Sequence, residues 1–460
     1  MPRPLMPRPS ALVYGIATTG QAVARALVAH GHHVVLADDV AGAQAIAVAD
    51  ELGLQLHIAP DVAAIDCMVA AADLVVPAPG VPETHPVVAA AKQHSVPLQT
   101  EIDLAYEWEQ QRPGGPRPMI GITGTDGKTT TTMMVAAMLR ASGLRAAAVG
   151  NTEVPLVAAL ADDVDAFAVE CSSFRLAFVR SFRSQAAIWL NLAPDHQNWH
   201  VSMDSYEAAK ANIWQLQRSS DVAIGWAGDR TVMHRLQHAP ARHVTFALHG
   251  ADYCISTDDD GQMHLCGPMG RFASASSLRR QFPHDLTNAL AAAAACIESG
   301  LVDPHQIDAG LAAFEFPPHR IEPLGTVDGI PWFNDSKATS PHAALTAIRS
   351  FDSIVLIAGG RNKGLDLSSL AVESARIRTV IAIGESAPEI QAAFAAVRPV
   401  HVATSMADAV NTAHGVAVPG DVVLLSPACA SFDWYPTGGY PARGDDFRRL
   451  VATLQAGNAA

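Results

Sequence analysis

The ten residues Gly121-Ile122-Thr123-Gly124-Thr125-Asp126-Gly127-Lys128-Thr129-Thr130 narrow what this chain can fold into more than any other stretch. The apolar residues 119–122 predict a short buried strand and the glycines a turn. Residues 129–139, free of glycine and proline, predict a helix. In a strand, loop and helix of this kind, successive backbone N–H groups and the positive helix end surround a polyphosphate. Lys128 then reaches the β- and γ-phosphates, and Thr129 offers a hydroxyl to Mg²⁺. The strict phosphate-loop pattern asks for glycine where Ile122 stands, so this is a shortened form made of Gly124, Thr125, Asp126, Gly127, Lys128, Thr129 and Thr130. Taken alone, the stretch also fits an ordinary glycine-rich turn.

A chain of 460 residues exceeds one hydrophobic core, and length alone predicts roughly three domains. The net charge of −14, with no basic block beyond the first ten residues, argues against a nucleic-acid partner. Six cysteines without a CxxC pair indicate neither a disulfide framework nor a zinc cluster and point to a reducing compartment. The opening MPRPLMPRPS lacks an apolar core, and no run of 18 apolar residues occurs, so no membrane partner and a cytoplasmic location are expected.

Residues 11–14 predict a first strand, followed by Gly15 to Gly20, a helix over 21–30 and a second strand over 34–37. Ala17 stands where a dinucleotide fingerprint has its second glycine, which weakens a nicotinamide reading and leaves another diphosphate open. Asp38 is placed to accept hydrogen bonds from a nucleoside, or is a solvated strand-end carboxylate. A strand over 74–76 runs into a proline-fixed loop at 77–82, and residues 96–99 look like a further strand before a helix over 101–110. A domain boundary is expected near residue 100, with the Pro/Gly-rich 112–118 an equally legible candidate.

The strand over 165–170 ends in Glu170, a carboxylate placed to hold Mg²⁺ beside the phosphate loop, or merely to cap the next turn. His196 and His200 lie four apart, but Pro194 and the absence of an HExxH glutamate argue against zinc. From composition, Lys210, on a helix starting near Ser205, reads as a surface lysine. Residues 222–266 alternate short strands and turns, as in an antiparallel edge or hairpin. After an alanine-rich helix over 286–299, the second boundary is expected at the Phe316-Pro317-Pro318 break. Beyond it, βα alternation resumes, with polar clusters at three strand ends: 334–339, 359–364 and 426–433. Parallel sheets bind ligands at such edges.

The blocks GTDGKTTT, ECSSF, NLAPDH, HDLTNALAA, FPPHRIE, NDSKATSPHAAL, GGRNKG and SPACASFD, in this order, resemble the Mur ligase family over nearly the whole chain. The resemblance implies an α/β protein of three domains. These are an N-terminal Rossmann-like UDP-binding domain (1–100), a central P-loop ATPase-like domain (101–316) and a C-terminal Rossmann-like domain that takes the amino acid (317–460). It implies ATP and two Mg²⁺, a carboxylate activated as an acyl phosphate, and an amine that displaces the phosphate. The NDSKAT and SPACASFD blocks look most like the branch that joins D-glutamate to UDP-N-acetylmuramoyl-L-alanine in the cytoplasmic synthesis of peptidoglycan precursor.

On that likeness, Lys128 and Thr129 match the phosphate lysine and a metal hydroxyl, Glu170 and His196 match metal-site residues, and Lys210 matches a lysine that is carbamylated to hold the second metal. Asn288, Arg320 and Asp335 match ATP contacts. Thr18, Thr19, Asp38, Asn151 and Ser172 match the UDP-substrate side, and Arg175, standing where glutamine is common, is expected to add a charged contact to that substrate. Lys337, Thr339, Lys363, Ser431 and Tyr440 match the glutamate side. Ala78 and Asp285 replace a usual serine and asparagine. A monomer is expected. The competing readings are a ligase of the family adding L-glutamate or another amino acid, a folylpolyglutamate synthase, a nucleotide switch and a nicotinamide oxidoreductase.

Overall fold

Strands Met119–Thr123 and Ala166–Glu170 are buried at every residue, the pattern of a parallel sheet covered on both faces. The computed structural model describes residues 10–197 and 199–458 and divides them into two compact units. The first takes in the chain to Leu192, His196–Gln281 and Asp285–Phe314; the second is built mainly from the chain after Glu315.

The first unit holds two parallel sheets. One has the order Leu56–Ile58, His33–Asp38, Ser10–Tyr14, Leu74–Pro77. The other has the order Arg242–Phe246, Val222–Trp226, Ala186–Trp189, Met119–Thr123, Ala166–Glu170, Ala146–Gly150, which places the phosphate-loop strand centrally, beside the strand of Glu170. Helix Pro283–Glu298 is buried from Asn288 through Cys296, because six of those nine residues are alanines that let it seat closely.

Two expectations need correction. Residues 96–99 form a single bridge, Val75 to Leu98, rather than a strand, because Pro97 has no N–H to extend the ladder. In 222–266, Val222–Trp226 and Arg242–Phe246 run parallel at the edge of the six-stranded sheet, with helix Arg230–Leu236 between them. Only Cys254–Thr257 and Met263–Gly267 pair antiparallel, joined by Gly270–Ser274.

In the second unit the sheet order is Glu322–Val327, Ile330–Asn334, Val422–Leu425, Ile354–Gly359, Ile377–Ile383, Val400–Val402, with the first pair antiparallel and the rest parallel. Strand alternation sends Ile354, Leu356 and Ala358 into one core and Val355 and Ile357 into the other. All three polar strand ends therefore lie on neighbouring strands. Among the described residues, no helix is long and apolar enough to cross a membrane.

Candidate functional site

The loop after Met119–Thr123 turns on Gly124 (φ 154°) and Gly127 (φ 84°), and Lys128 opens helix Lys128–Ala141. Neither glycine tolerates a side chain. A Cβ at Gly127 would stand 2.7 Å from Asn288 Oδ1, and one at Gly124 would stand 2.9 Å from Leu190 Cβ. Gly127 caps the helix with no side chain, so the first-turn N–H groups are left for an anion. Asn191 fixes the loop: its Oδ1 accepts from the N–H of Thr125 (3.0 Å) and Asp126 (2.9 Å), and its Nδ2 donates to Asp126 O (3.2 Å). Two ammonium groups converge on one carbonyl, with Lys128 Nζ 3.0 Å and Lys210 Nζ 2.6 Å from Gly124 O. Lys128 also donates to Thr125 O at 2.7 Å. Thr129 is half-buried in the first turn and Thr130 is buried beneath it.

Lys210, on helix Met203–Gln215, is 1% exposed with its Nζ 4.4 Å from the centre of the Tyr206 ring. It is no surface lysine. Tyr206 in turn meets the Thr125 hydroxyl at 3.1 Å. Glu170 is 2% exposed; one carboxylate oxygen accepts from Asn151 Nδ2 at 3.1 Å and the other, Oε2, is buried without a hydrogen-bond partner. An orphaned buried oxygen beside a phosphate loop suits a hard cation. His196 sits in left-handed backbone (φ 55°), its ring edge-on to Phe174 at 4.6 Å. Among the described residues, no three of His, Cys, Asp and Glu gather to hold a metal. A metal at Glu170 and His196 would therefore need the Thr129 hydroxyl or a modified Lys210.

On the first sheet, Asp38 is taken up by the backbone: its oxygens accept from Ile16 N (2.5 Å) and Val40 N (2.9 Å), which shapes the turn before helix Thr18–Ala29. Thr18 is exposed at that helix start. Ala78, whose Cβ would lie 3.0 Å from one on Gly15, packs on the same turn. Ser172 caps helix Ser173–Leu176 by accepting from Arg175 N, and Arg175 itself points inward at 3% exposure. Its guanidinium donates to Glu101 Oε2 (3.1 Å), Asn151 Oδ1 (2.6 Å), Thr19 Oγ1 (3.0 Å) and Gly150 O (3.2 Å). Asp285 is fully buried in a two-bond pair with Arg280, both contacts 2.7 Å.

In the second unit, Asp335 follows strand Ile330–Asn334 at 1% exposure, accepting from Ser426 Oγ (2.8 Å) and Ile321 N (3.2 Å). Burial pushes its carboxyl up to about 6, although Arg320 and those hydrogen bonds act the other way. Lys363 Nζ donates to Thr339 Oγ1 at 3.3 Å, and Lys337 Nζ lies 5.7 Å from the centre of the Tyr440 ring. Ser431 is buried at the third strand end. Arg443, 1% exposed, reaches under these loops to Ser336 Oγ (3.0 Å) and to the carbonyls of Ser336 (2.8 Å), Cys429 (3.1 Å) and Ala430 (3.3 Å).

Residues 122–296 match the Mur ligase middle domain, and residues 319–429 match the Mur ligase glutamate ligase domain. The chain belongs to the Mur ligase family. A UDP-N-acetylmuramoylalanine--D-glutamate ligase from Frankia casuarinae is 41% identical over 96% of this chain and 93% of its own. One of the same name from Thermobifida fusca is 35% identical over 96% and 98%. In fold, the chain is similar to the MurF ligase from Thermotoga maritima in complex with ADP, with TM-score 0.60, 14% identity and coverage of 98% and 99%.

Within this Mur ligase, several structural partners of the site have no role legible in the sequence, although Asn191 opens the NLAPDH block. Asn191 bears the phosphate loop from 65 or more residues away, Arg443 ties two strand-end loops together, and His200 bridges Glu83 Oε1 (2.6 Å) and Ser173 Oγ (2.9 Å). Side chains that act at long range leave no local pattern. A local hint at Asn191 is a polar residue two positions after a buried strand.

Proposed function

We propose that this Mur ligase joins D-glutamate to UDP-N-acetylmuramoyl-L-alanine in an ATP-dependent reaction of peptidoglycan precursor synthesis, in the cytoplasm and as a monomer. The alanyl carboxylate attacks the γ-phosphorus and ADP leaves, giving an acyl phosphate. The amine of D-glutamate then attacks the carbonyl carbon, the carbon–oxygen bond to phosphate breaks, and the amine gives up its proton. The two amino-acid-specific relatives of like length support the choice of substrate. The observation that carries the phosphoryl half is the partnerless Glu170 Oε2 on the strand next to a loop whose single carbonyl gathers Lys128 and Lys210.

Lys128 offsets phosphate charge as it accumulates, and first-turn N–H groups hold the phosphates in place. Bound Mg²⁺ supplies further charge neutralisation, with Thr129, Glu170, His196 and a carbamylated Lys210 as the residues that would hold two ions. Asn288, Arg320 and Asp335 take the remainder of ATP. Thr18, Thr19, Asp38, Asn151 and Ser172 take the UDP-substrate. Lys337, Thr339, Lys363, Ser431 and Tyr440 take glutamate, whose two carboxylates suit cations and hydroxyls. The division 1–100, 101–316 and 317–460 follows these three ligands.

The test is phosphate release from ATP with UDP-N-acetylmuramoyl-L-alanine in the presence of D-glutamate, L-glutamate or neither. Release is expected with D-glutamate only; release indifferent to the amino acid refutes the assignment. Lys128→Ala should abolish turnover. Lys210→Ala should be inactive and regain part of its turnover with a short-chain carboxylate; full activity without rescue removes the carbamate role.

A further inference from the structure

We propose that Arg175 is a positioning residue that sets the orientation of the Asn151 amide and, through it, aims the partnerless oxygen of Glu170 at the cation. The inference rests on the metal reading of Glu170 given above. An asparagine amide is ordinarily free to turn over, exchanging its oxygen and nitrogen. Here the chemistry of the neighbours settles it. Arg175 can only donate, so its 2.6 Å contact must fall on Asn151 Oδ1. A carboxylate can only accept, so the 3.1 Å contact to Glu170 Oε1 must come from Asn151 Nδ2.

Asn151 is exposed and follows strand Ala146–Gly150, and these two bonds hold its side chain against solvent. Arg175, by contrast, is anchored from within by Glu101 Oε2 and Gly150 O. Glu101 is itself 2% exposed and accepts from Val157 N at 2.8 Å. A relay Glu101–Arg175–Asn151–Glu170 results, with one arm of the guanidinium on Thr19 Oγ1. Four of the five N–H donors of Arg175 are engaged by the protein, so the residue acts on the site chiefly through Asn151 and Thr19 rather than by the direct substrate contact expected from sequence. With Oε1 committed to Asn151, Oε2 is the oxygen left for a metal.

The test is Mn²⁺ titration, followed by electron paramagnetic resonance, on the full-length chain with a non-hydrolysable ATP analogue. Because Arg175→Met alone strands a buried carboxylate, the variant used is Arg175→Met with Glu101→Gln, checked for a wild-type-like melting transition. Removing a residue that orients a metal ligand ordinarily weakens metal binding about 10- to 100-fold, and a loss in that range is expected here. Asn151→Ala should weaken binding comparably, and adding the Arg175 and Glu101 changes to Asn151→Ala should cost less than a further twofold. Undiminished Mn²⁺ affinity in the double variant overturns the proposal, as does full additivity with Asn151→Ala. Wild type that binds no Mn²⁺ with the analogue refutes the metal reading itself, and the proposal falls with it.

Discussion

Each unit encloses one deeply buried arginine beside its site, and the two are neutralised differently. Arg175, at 3% exposure, faces the carboxylate of Glu101, at 2%. Arg443, at 1%, touches three carbonyls and a hydroxyl, and among the described residues no carboxylate pairs with it. Burial accordingly lowers its guanidinium to about 10, a range in which it keeps its charge at neutral pH. A paired ion is a rigid strut. An unpaired one leaves a positive potential at the loops it holds, here the loops of Ser336 and Ser431, which carry the proposed glutamate contact Ser431. The first arginine therefore serves geometry and the second also serves charge.

The largest effect should come from breaking the paired case. Arg175→Met strands Glu101 in a dry interior, which costs about 3–5 kcal/mol. Arg175→Met with Glu101→Gln should recover most of that loss in urea unfolding, since no bare charge remains. Equal stability of the single and double variants would mean that Glu101 is not the partner that matters.

How far sequence reaches can be judged on the same two residues. Arg175 draws notice because it stands where glutamine is common in the family, yet its inward direction follows only from Glu101 and Asn151 being folded against it. Arg443 carries no pattern, because its partners Cys429 and Ala430 are backbone oxygens, which any residue type supplies. The phosphate loop is legible for the opposite reason. Gly124, Gly127 and Lys128 are adjacent in the chain, and each residue type is forced locally by φ, by clash or by phosphate chemistry. Lys210 lies between these extremes. Composition makes it a surface lysine, family likeness makes it a site residue, and its 1% exposure excludes the first. Strand Glu322–Val327 escapes the sequence reading because Pro323 and Gly325 break the alternation, and its ladder shifts register at that point.

A smaller effect probes the opposite charge in the second unit. Asp335 lies buried with its carboxyl raised from 3.8 to about 6, chiefly by burial. A raised acid stabilises the fold fully below about pH 4 and loses that contribution as pH climbs through about 6. The rise corresponds to about 3 kcal/mol. Melting curves of the wild type should show the second unit weakening over that window, and Asp335→Asn should flatten the dependence. Arg443→Met, by removing a nearby positive charge, should move the midpoint upward. An unchanged midpoint would mean that the Arg443 charge is screened at Asp335, and the contrast with Arg175 would lose its electrostatic half.

The smallest stability change is expected at Arg443, where function should register more than folding. Arg443→Met removes a buried charge that had no partner, a relief that offsets part of the loss of its hydrogen bonds. The net cost is about 1–3 kcal/mol, mainly from the carbonyls left unsatisfied. The KM for D-glutamate should rise about tenfold, a loss of about 1.4 kcal/mol in binding, while the KM for ATP stays within about twofold. Lysine, a cation without the planar fork, should restore part of the charge but fewer of the bonds. If Arg443→Lys returns the D-glutamate KM while leaving the stability loss in place, charge and scaffold separate at this position. If it returns stability and leaves KM high, the carbonyl contacts rather than the potential govern binding, and both arginines are struts.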